Sequence, residues 1–313
     1  MPAFDWNRVD PPRRWLRPGV TFLDETLRDG IQNPSVTDPQ TEDKLELIHC
    51  MARAGIHAVN VGLPAASRRS YDDALAACQE IAASRLRIQP VAAARTLTSD
   101  VEPILDIADR AGIAVEVYTF VGSSPIRWFV ESWDIAGLVE SSARAIDLAV
   151  RRGLSVCYVT EDTTRSRPAV LSALWKAAIE RGARRICLTD TVGHATTEGV
   201  KALVSFAKST ILSSGARDIG LDWHGHNDRG LALDNALAAL ERGCDRIHGT
   251  ALGIGERAGN TPMELLLHNL YLHGELEEAR SAHLVRYCET AARALHWDTA
   301  YAHPLLANGS PLA

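Results

Sequence analysis

The stretch Phe22-Leu-Asp-Glu-Thr-Leu-Arg-Asp-Gly-Ile-Gln32 defines the first unit of the fold. It continues an apolar run, residues 20–23, that is typical of a buried strand. The run leads into a cluster of polar residues, which are Asp24, Glu25, Thr26, Arg28, Asp29 and Gln32. A buried strand that ends in carboxylates and an arginine is directed at a site, although a solvated strand-to-helix loop has a similar composition. Other parts of the chain must decide between these two interpretations.

The same alternation of a short apolar run and a longer amphipathic stretch occurs eight times along the chain. The runs are rich in Val, Ile and Leu without polar alternation, which indicates strands covered on both faces. Their spacing of roughly 30 to 40 residues fits repeated βα units. No G-x-G-x-x-G motif follows the first strand, so a closed (β/α)8 TIM barrel is favoured over an open doubly wound sheet. The predicted strands are 20–24, 58–62, 87–93, 114–121, 155–160, 185–189, 220–224 and 246–251.

The amphipathic stretches predict one helix after each strand, and several of them are followed by a glycine at the expected C-terminal cap. The predicted helices are 41–54, 70–83, 99–111, 134–152, 168–181, 196–213, 229–242 and 262–273. We expect an N-terminal arm over 1–19, a catalytic barrel over 20–275 and a short C-terminal helical extension over 276–313, without a regulatory domain.

Composition argues against several classes of partner. The chain of 313 residues is 46% hydrophobic and 23% charged, as in an ordinary globular protein, and its formal net charge of −6 leaves no basic footprint for nucleic acid. The N-terminal residues lack the apolar core of a signal peptide, and no run approaches the ~20 apolar residues of a membrane span. The six cysteines show no CxxC spacing and are interpreted as reduced. We therefore expect a cytoplasmic protein with neither nucleic-acid nor membrane partners.

Polar residues stand at the carboxyl end of every predicted strand, where the active sites of such barrels lie. In chain order they are Asp24, Arg28, Asp29, Gln32, Asn60, Arg95, Tyr118, Ser123, Ser124, Thr160, Glu161, Asp162, Asp190, Thr191, His224, His226, Asn227, Asp228 and the loop 253–260. Their accumulation at one end of the barrel predicts the site.

Two histidines indicate a metal centre. His224 and His226 are two residues apart on a strand, so both rings point to the same face and can share one ion. A lone histidine would more often be a core residue. Asp29 is the natural carboxylate partner, because strand 1 closes the barrel beside strands 7 and 8. Two imidazoles and one carboxylate suit a divalent ion that keeps positions open for substrate oxygens.

The glycine-rich loop 253–260 follows the last strand, in the usual phosphate region of such barrels. Its backbone N–H groups could bind a phosphate or carbonyl oxygen. Taken alone, this signal is weak because glycine-rich turns are common.

Three motifs together resemble those of the 2-isopropylmalate synthase and homocitrate synthase family, whose members belong to a superfamily of metal-dependent aldolase and acyl-CoA lyase/synthase TIM barrels. They are Asp24-Glu-Thr-Leu-Arg-Asp-Gly-Ile-Gln32, His224-Gly-His-Asn-Asp228 and Gly253-Ile-Gly-Glu-Arg-Ala-Gly-Asn260. Further matches are Gly62-Leu-Pro-Ala-Ala-Ser67, Phe120-Val-Gly-Ser-Ser-Pro125, Glu161-Asp-Thr-Thr-Arg165 and Asp190-Thr-Val-Gly193. The resemblance covers roughly residues 20–275 in order.

This resemblance implies a Claisen condensation of acetyl-CoA, as co-substrate, with a 2-oxo acid to give a 2-hydroxy diacid and CoA. It implies a divalent ion (Mg, Mn, Zn or Co) at Asp29, His224 and His226 with Asn260 close by. It also implies a homodimer, which is an expectation from the family alone.

The resemblance further assigns roles to single residues. Arg28 faces the developing alkoxide, Glu161 serves acid/base or positioning work, and Thr191 contacts the substrate carboxylate. Gln32 orients substrate or Arg28. The loop residues Gly253, Gly255, Glu256 and Gly259 would lie against the metal and the acyl-CoA.

Departures from the family pattern point to a non-standard 2-oxo acid. Asn60 replaces a common Glu, Leu63 a Phe, Tyr118 a His, and Arg127 another His. These positions would face the 2-oxo acid or its entrance. Arg127 and Arg95 could favour an additional anionic group, or they could be solvated or structural. The tryptophans at 128 and 133 could instead line a pocket for an apolar or aromatic side chain.

The sequence leaves open which residue is the general base that deprotonates acetyl-CoA. Family synthases take a His and a Tyr from a helical subdomain, and Tyr301 and His303 are the late candidates here.

Two other functions remain as alternatives. One is an acyl-CoA lyase or 4-hydroxy-2-oxo acid aldolase, although the lyases tend to carry a Cys in the strand-8 loop and residues 251–260 have none. The other is a non-catalytic or partner-dependent barrel that lacks its helper domain.

Overall fold

Eight parallel strands form a closed barrel in which each strand pairs with the next along the chain and the last pairs with the first. The computed structural model describes residues 15–276, 278–300 and 302–306. Closure brings strand 1 directly beside strand 8, with Asp24 in register with Gly249. The predicted (β/α)8 barrel is confirmed. The strands are β1 (Thr21–Asp24), β2 (Ala58–Asn60), β3 (Gln89–Arg95), β4 (Glu116–Gly122), β5 (Val156–Glu161), β6 (Arg185–Asp190), β7 (Gly220–Gly225) and β8 (Arg246–Gly249).

Helices cover the outside of the barrel. One of them, α4, does not follow from the predicted pattern, because it is short and lies in the connection between β4 and the long helix after it. Pro125 begins it at the position where a missing N–H is tolerated. The helices are α1 (Thr41–Arg53), α2 (Arg68–Ala83), α3 (Thr98–Ala111), α4 (Pro125–Glu131), α5 (Ile135–Arg151), α6 (Pro168–Glu180), α7 (Thr197–Ser213), α8 (Ala232–Arg242), α9 (Met263–Leu272) and α10 (Glu278–Leu295).

The apolar core divides into two parts. The larger part lies between the strands and the surrounding helices and includes Trp175 and Trp223, both fully buried. The smaller part fills the barrel interior with Leu23, Ala58, Val91, Tyr118, Cys157 and Cys187. Most of these interior side chains are small, and charged groups occupy the rest of that interior. All six cysteines are buried and unpaired by disulfides.

The C-terminal helix α10 packs against α1 and extends toward the barrel. The hydroxyl of Tyr287 donates a hydrogen bond to the carboxylate of Asp24 at the end of β1. At the N-terminal side, the backbone N–H groups of Trp15 and Leu16 donate to Glu275. The proposed boundaries of arm, barrel and extension remain predictions. Among the described residues, no helix is both long and apolar enough to cross a membrane.

Candidate active site

A cavity of about 260 Å³ opens at the carboxyl ends of the strands. Its wall contains Arg28, Asp29, His224 and His226. The first two residues follow β1, whereas His224 lies in β7 and His226 follows it directly. The cavity is also lined by Glu25, Gln32, Asn60, Leu63, Ala93, Tyr118, Phe120, Val159, Glu161, Cys187, Thr189, Thr191, His248 and Glu256.

Three of the four predicted metal ligands converge on one point. The Nε2 atoms of His224 and His226 lie 3.3 Å apart, and they lie 3.3 and 3.5 Å from Oδ2 of Asp29. All three side chains are at most 8% exposed. This group fits one ion, because donors bound about 2.0–2.2 Å from a common metal stand about 3.0–3.5 Å from each other.

Asn260, the fourth predicted ligand, stands beside this group. Its Nδ2 atom is 3.4 Å from His224 Nε2, and its Oδ1 atom is buried without a hydrogen-bond partner. A buried carbonyl oxygen without a partner is uncommon and suits a cation that would complete its contacts. The donor set therefore fits a divalent ion.

Electrostatics also suit cation binding. Burial alone would raise the pKa of Asp29, but the Arg28 guanidinium and hydrogen bonds from His224 and His226 hold it well below its usual value. Burial lowers the pKa of His224 to about 4, with only partial opposition from Asp29. The carboxylate is thus ionised and this imidazole neutral near neutral pH, which are the forms that bind metals.

Arg28 is fixed at the edge of the cavity by two carboxylates. Its Nε atom donates to Glu25 Oε2 at 2.8 Å, and one Nη atom lies 3.3 Å from Asp29 Oδ2. The side chain of Arg28 is 23% exposed, whereas that of Glu25 is 1% exposed. The guanidinium is therefore held in one place with part of its surface toward the cavity.

The opposite wall carries the predicted acid/base and carboxylate-binding groups. Burial raises the pKa of Glu161, and the nearby Arg127 only partly offsets this effect. Thr191 accepts the backbone N–H of Asp162 at 2.8 Å, which orients its hydroxyl. Gln32 is exposed at the cavity mouth.

The residues predicted to select the substrate fall into two groups. Asn60 and Tyr118 are buried in the cavity wall, where Asn60 donates to Glu25 and Tyr118 contacts Asp222. Arg95 and Arg127 do not line this cavity. They lie in a neighbouring cavity of about 430 Å³, which shares Phe120 and Glu161 with the first.

Both of these arginines are held by local carboxylates. Arg95 donates through Nε and Nη2 to Asp100 at 2.7 and 2.9 Å. Arg127 lies 3.3 Å from Glu131 and 3.5 Å from Glu161. Trp133 lines the same neighbouring cavity, whereas Trp128 donates its Nε1 hydrogen to the carbonyl of Gly122.

The strand-8 loop folds tightly over the metal group. The N–H of Glu256 donates to Asp29 Oδ1 at 3.1 Å, and Asn33 donates to the carbonyl of Gly255 at 2.7 Å. A Cβ atom on Gly255 would lie 1.7 Å from Asn260 Oδ1, and one on Gly259 would lie 1.9 Å from the carbonyl oxygen of Gly253. Glycine is thus required for this close approach. Of the four predicted acyl-CoA residues, Glu256 lines the cavity.

The late candidates for the base do not line the cavity as far as the structure describes them. His303 Nε2 lies 3.2 Å from Glu264 Oε1, while Glu264 Oε2 accepts the backbone N–H of Leu252. His303 therefore supports the strand-8 loop from outside. Tyr301 lies outside the described residues.

The sequence prediction missed a buried network at the floor of the cavity. It contains Asp222, Arg246 and His248, which connect to Glu25 and Tyr118. Asp222 precedes His224 by two residues on β7, and Arg246 precedes His248 by two on β8. This alternation of charged residues in otherwise apolar strands could have identified inward-facing groups.

Comparison with known sequences supports the family interpretation. A family model described as HMGL-like matches residues 19–292. The chain is 34% identical over 254 residues to 2-isopropylmalate synthase of Heliobacterium modesticaldum, covering 80% of this chain and 48% of that protein. It is also 34% identical over 256 residues to homocitrate synthase AksA of Methanopyrus kandleri, covering 80% and 60%. The chain thus spans about half the length of the 2-isopropylmalate synthases that it matches.

Comparison with solved structures supports the fold. The HMG-CoA lyase of Bacillus subtilis superposes with a TM-score of 0.74 at 19% identity, covering 90% of this chain and 95% of that one. An HMG-CoA lyase of Acinetobacter baumannii in complex with coenzyme A and 3-methylmalate gives a TM-score of 0.72 at 21% identity, covering 90% and 92%. At this identity the likeness extends to the fold alone.

Proposed function

The chain belongs to the HMGL-like family, and we propose that it is an acyltransferase that condenses acetyl-CoA with a 2-oxo acid in a metal-dependent Claisen reaction. Acetyl-CoA loses an α proton, and the resulting carbanion attacks the keto carbon of the 2-oxo acid. The alkoxide takes up a proton, and water then cleaves the thioester. The products are a 2-substituted malate, free CoA and the proton released by the new carboxyl group, so atoms and charges balance.

One observation carries this proposal. Asp29, His224 and His226 converge within 3.5 Å beside the guanidinium of Arg28, in one cavity at the carboxyl ends of the strands. These are the donors and the fixed positive charge that the addition to a keto group requires.

Asp29, His224 and His226 would hold the divalent ion, with Asn260 next to it. When bound, the ion supplies a Lewis acid for the keto oxygen of the 2-oxo acid. Arg28 adds a fixed positive charge where negative charge develops on that oxygen. Mg, Mn, Zn and Co are all consistent with this mixed nitrogen and oxygen donor set.

Glu161 is the proposed proton acceptor or positioning group on the opposite wall. Its raised pKa brings the carboxyl closer to the pH at which a group exchanges protons efficiently. The hydroxyl of Thr191 suits a hydrogen bond to the substrate carboxylate, and Gln32 at the mouth suits orientation of substrate or of Arg28. The backbone of the loop 253–260 suits contact with acetyl-CoA.

The proposed 2-oxo acid is not 2-oxoisovalerate but one with a different side chain. Asn60 and Tyr118 line the cavity at two positions where the family pattern has a Glu and a His, so the wall offers the substrate different polar groups and one charge fewer. Arg95 and Arg127 would reach only a substrate that extends into the neighbouring cavity. A homodimer remains part of the proposal, as does a small-molecule substrate pair without nucleic acid.

The test is product analysis with purified protein, a divalent ion, acetyl-CoA and a panel of 2-oxo acids that differ in side chain. We expect free thiol and a 2-substituted malate of the predicted mass with at least one of them. Cleavage of a 3-hydroxyacyl-CoA or of a 4-hydroxy-2-oxo acid, without thiol release from acetyl-CoA, would instead support a lyase or an aldolase. Loss of both activities in protein that binds metal would support a partner-dependent barrel.

A further inference from the structure

The floor of the cavity and the barrel interior below it contain charged side chains that the proposed reaction does not use. Asp222, Arg246 and His248 are at most 7% exposed, and Arg246 forms ion pairs with both Asp222 and Glu116. Interiors of such barrels are usually filled with Val, Ile and Leu. Buried charges are costly even when paired, and replacement by apolar residues is often neutral or stabilising. These buried charges therefore suit a role beyond stability.

His248 lies in the middle of this network. Its Nε2 atom is 3.1 Å from Asp222 Oδ2, and its Nδ1 atom is 3.3 Å from Glu25 Oε1. The hydroxyl of Tyr118 is 2.9 Å from the same Nε2 atom. The Nε2 side is within hydrogen-bond distance of Asp222, whereas the Nδ1 side makes an ion-pair contact with Glu25 without hydrogen-bond geometry, and the two contacts together restrict the ring. Burial lowers the pKa of His248, but Asp222 and Glu25 more than offset this and raise it overall.

Glu25 transmits this constraint to the cavity. While Oε1 faces His248, Oε2 accepts hydrogen bonds from Arg28 Nε at 2.8 Å and from Asn60 Nδ2 at 3.0 Å. The carboxylate is 1% exposed, so solvent does not compete for its oxygen atoms. Its orientation therefore contributes, together with Asp29, to the position of the Arg28 guanidinium.

We propose that His248 is a positioning residue for Arg28: together with Asp222 it holds the Glu25 carboxylate, which fixes the guanidinium beside Asp29. An arginine side chain is long and flexible, and a partly exposed guanidinium would otherwise sample several positions. Transition-state stabilisation requires a donor that is already in place. The kinetic consequence of this proposal rests on the proposed function, whereas the placement of Arg28 does not.

The kinetic test is a double-mutant cycle in metal-loaded enzyme. His248→Gln keeps a polar side chain but cannot contact both carboxylates. We expect it to lower kcat by about tenfold to a hundredfold, with little change in the KM for acetyl-CoA. In an Arg28→Lys background the same substitution should cost less than about twofold, because residues that act through one another are not additive. Additive effects would contradict the proposal.

The matched control is Glu116→Gln. It alters the same buried network through Arg246 but has no contact with Glu25 or His248 among those that the structure describes. It should lower thermal stability without the loss of kcat. If it lowers kcat as much as His248→Gln, a general structural role is sufficient and the proposal fails.

A second readout does not depend on activity. In metal-loaded protein with labelled arginine, the Nε–H of Arg28 should give a slowly exchanging NMR signal, identified by its absence in Arg28→Lys. His248→Gln should accelerate its exchange by about tenfold or more, and Glu25→Gln should do the same if the first variant does not fold. An unchanged exchange rate would overturn the proposal. If wild-type protein has no synthase activity, the proposed function fails while this measurement still decides the positioning of Arg28.

Discussion

Oδ2 of Asp29 lies 3.3 Å from Nε2 of His224, although these residues belong to opposite ends of the barrel sequence. The contact exists because β8 closes on β1 and places the end of β1 near the end of β7. Barrel closure therefore creates the candidate metal group.

Substitution of His226 by Ala should remove metal and activity together. The substitution deletes one of three converging donors and leaves a buried space in its place. Changes that only support metal ligands already cost about 10- to 100-fold in affinity, so this one should cost at least as much. Metal content by elemental analysis, together with thiol release, measures both effects.

The matched control for that variant is His194→Ala, because His194 has an exposed side chain beside the same end of the barrel. It should retain metal and activity. Full activity in His226→Ala would show that the ion is held elsewhere.

Substitution of Arg28 by Lys should separate catalysis from metal binding. Lysine keeps the charge but cannot reproduce contacts with both Glu25 and Asp29. We expect kcat to fall by about a hundredfold while metal affinity changes little. Steady-state kinetics and calorimetric metal titration provide the two values, and a fall in metal affinity with an unchanged kcat would argue against the assigned role.

Gly255→Ala tests the packing of the strand-8 loop. The new Cβ would overlap Asn260 Oδ1, so the Asn260 side chain, whose Nδ2 atom lies 3.4 Å from His224, must shift. We expect a lower metal affinity and a higher KM for acetyl-CoA. Gly199→Ala is the control, since its Cβ would lie 3.4 Å from Thr196 Oγ1 in ordinary contact at the start of α7. Equal behaviour of the two variants would show that the loop tolerates displacement.

Asp24 should make stability depend on pH. Burial raises its pKa to about 6, although hydrogen bonds from Tyr287 and Thr26 oppose the effect. Between pH 4 and 6 the folded protein therefore keeps a proton that the unfolded chain has lost. Its contribution to stability is present below about pH 4 and is lost as pH rises through 6.

The corresponding variant is Asp24→Asn, which has no charge to titrate. The free energy of unfolding of the wild type, minus that of this variant, should fall by about 2–3 kcal/mol from pH 4 to 7. Denaturant titration at several pH values measures this difference. A difference that stays constant, or that grows with pH, would contradict the assigned pKa.

The sequence predicts the barrel well because its signals are repeated. Eight apolar runs, each followed by a helical stretch, indicate the same repeated βα unit. Buried parallel strands carry little polar alternation, so their apolar runs are easy to recognise in the sequence. The pair His224 and His226 is also predictable, since residues two apart on a strand share a face. Asp29 follows from barrel closure.

Other parts of the site depend on contacts that strand position does not reveal. Arg95 ends β3 as predicted and Arg127 lies within α4, but Asp100 and Glu131 nearby in the sequence hold these two arginines at a second cavity. His248 is harder to predict, because its alternation with Arg246 on β8 indicates an inward-facing side chain but not its partners. Its role becomes visible only in the folded structure, where Asp222 and Glu25 lie on either side of the His248 ring.

The most direct test of the proposed reaction is thiol release from acetyl-CoA, measured in metal-free protein as one divalent ion is titrated back. With a suitable 2-oxo acid, the account predicts no release without metal and a rise that saturates near one ion per chain. It also predicts that Asp29→Asn abolishes the rise. Thiol release that is equally fast after chelation, or that Asp29→Asn leaves unchanged, would contradict a metal-dependent condensation at this site.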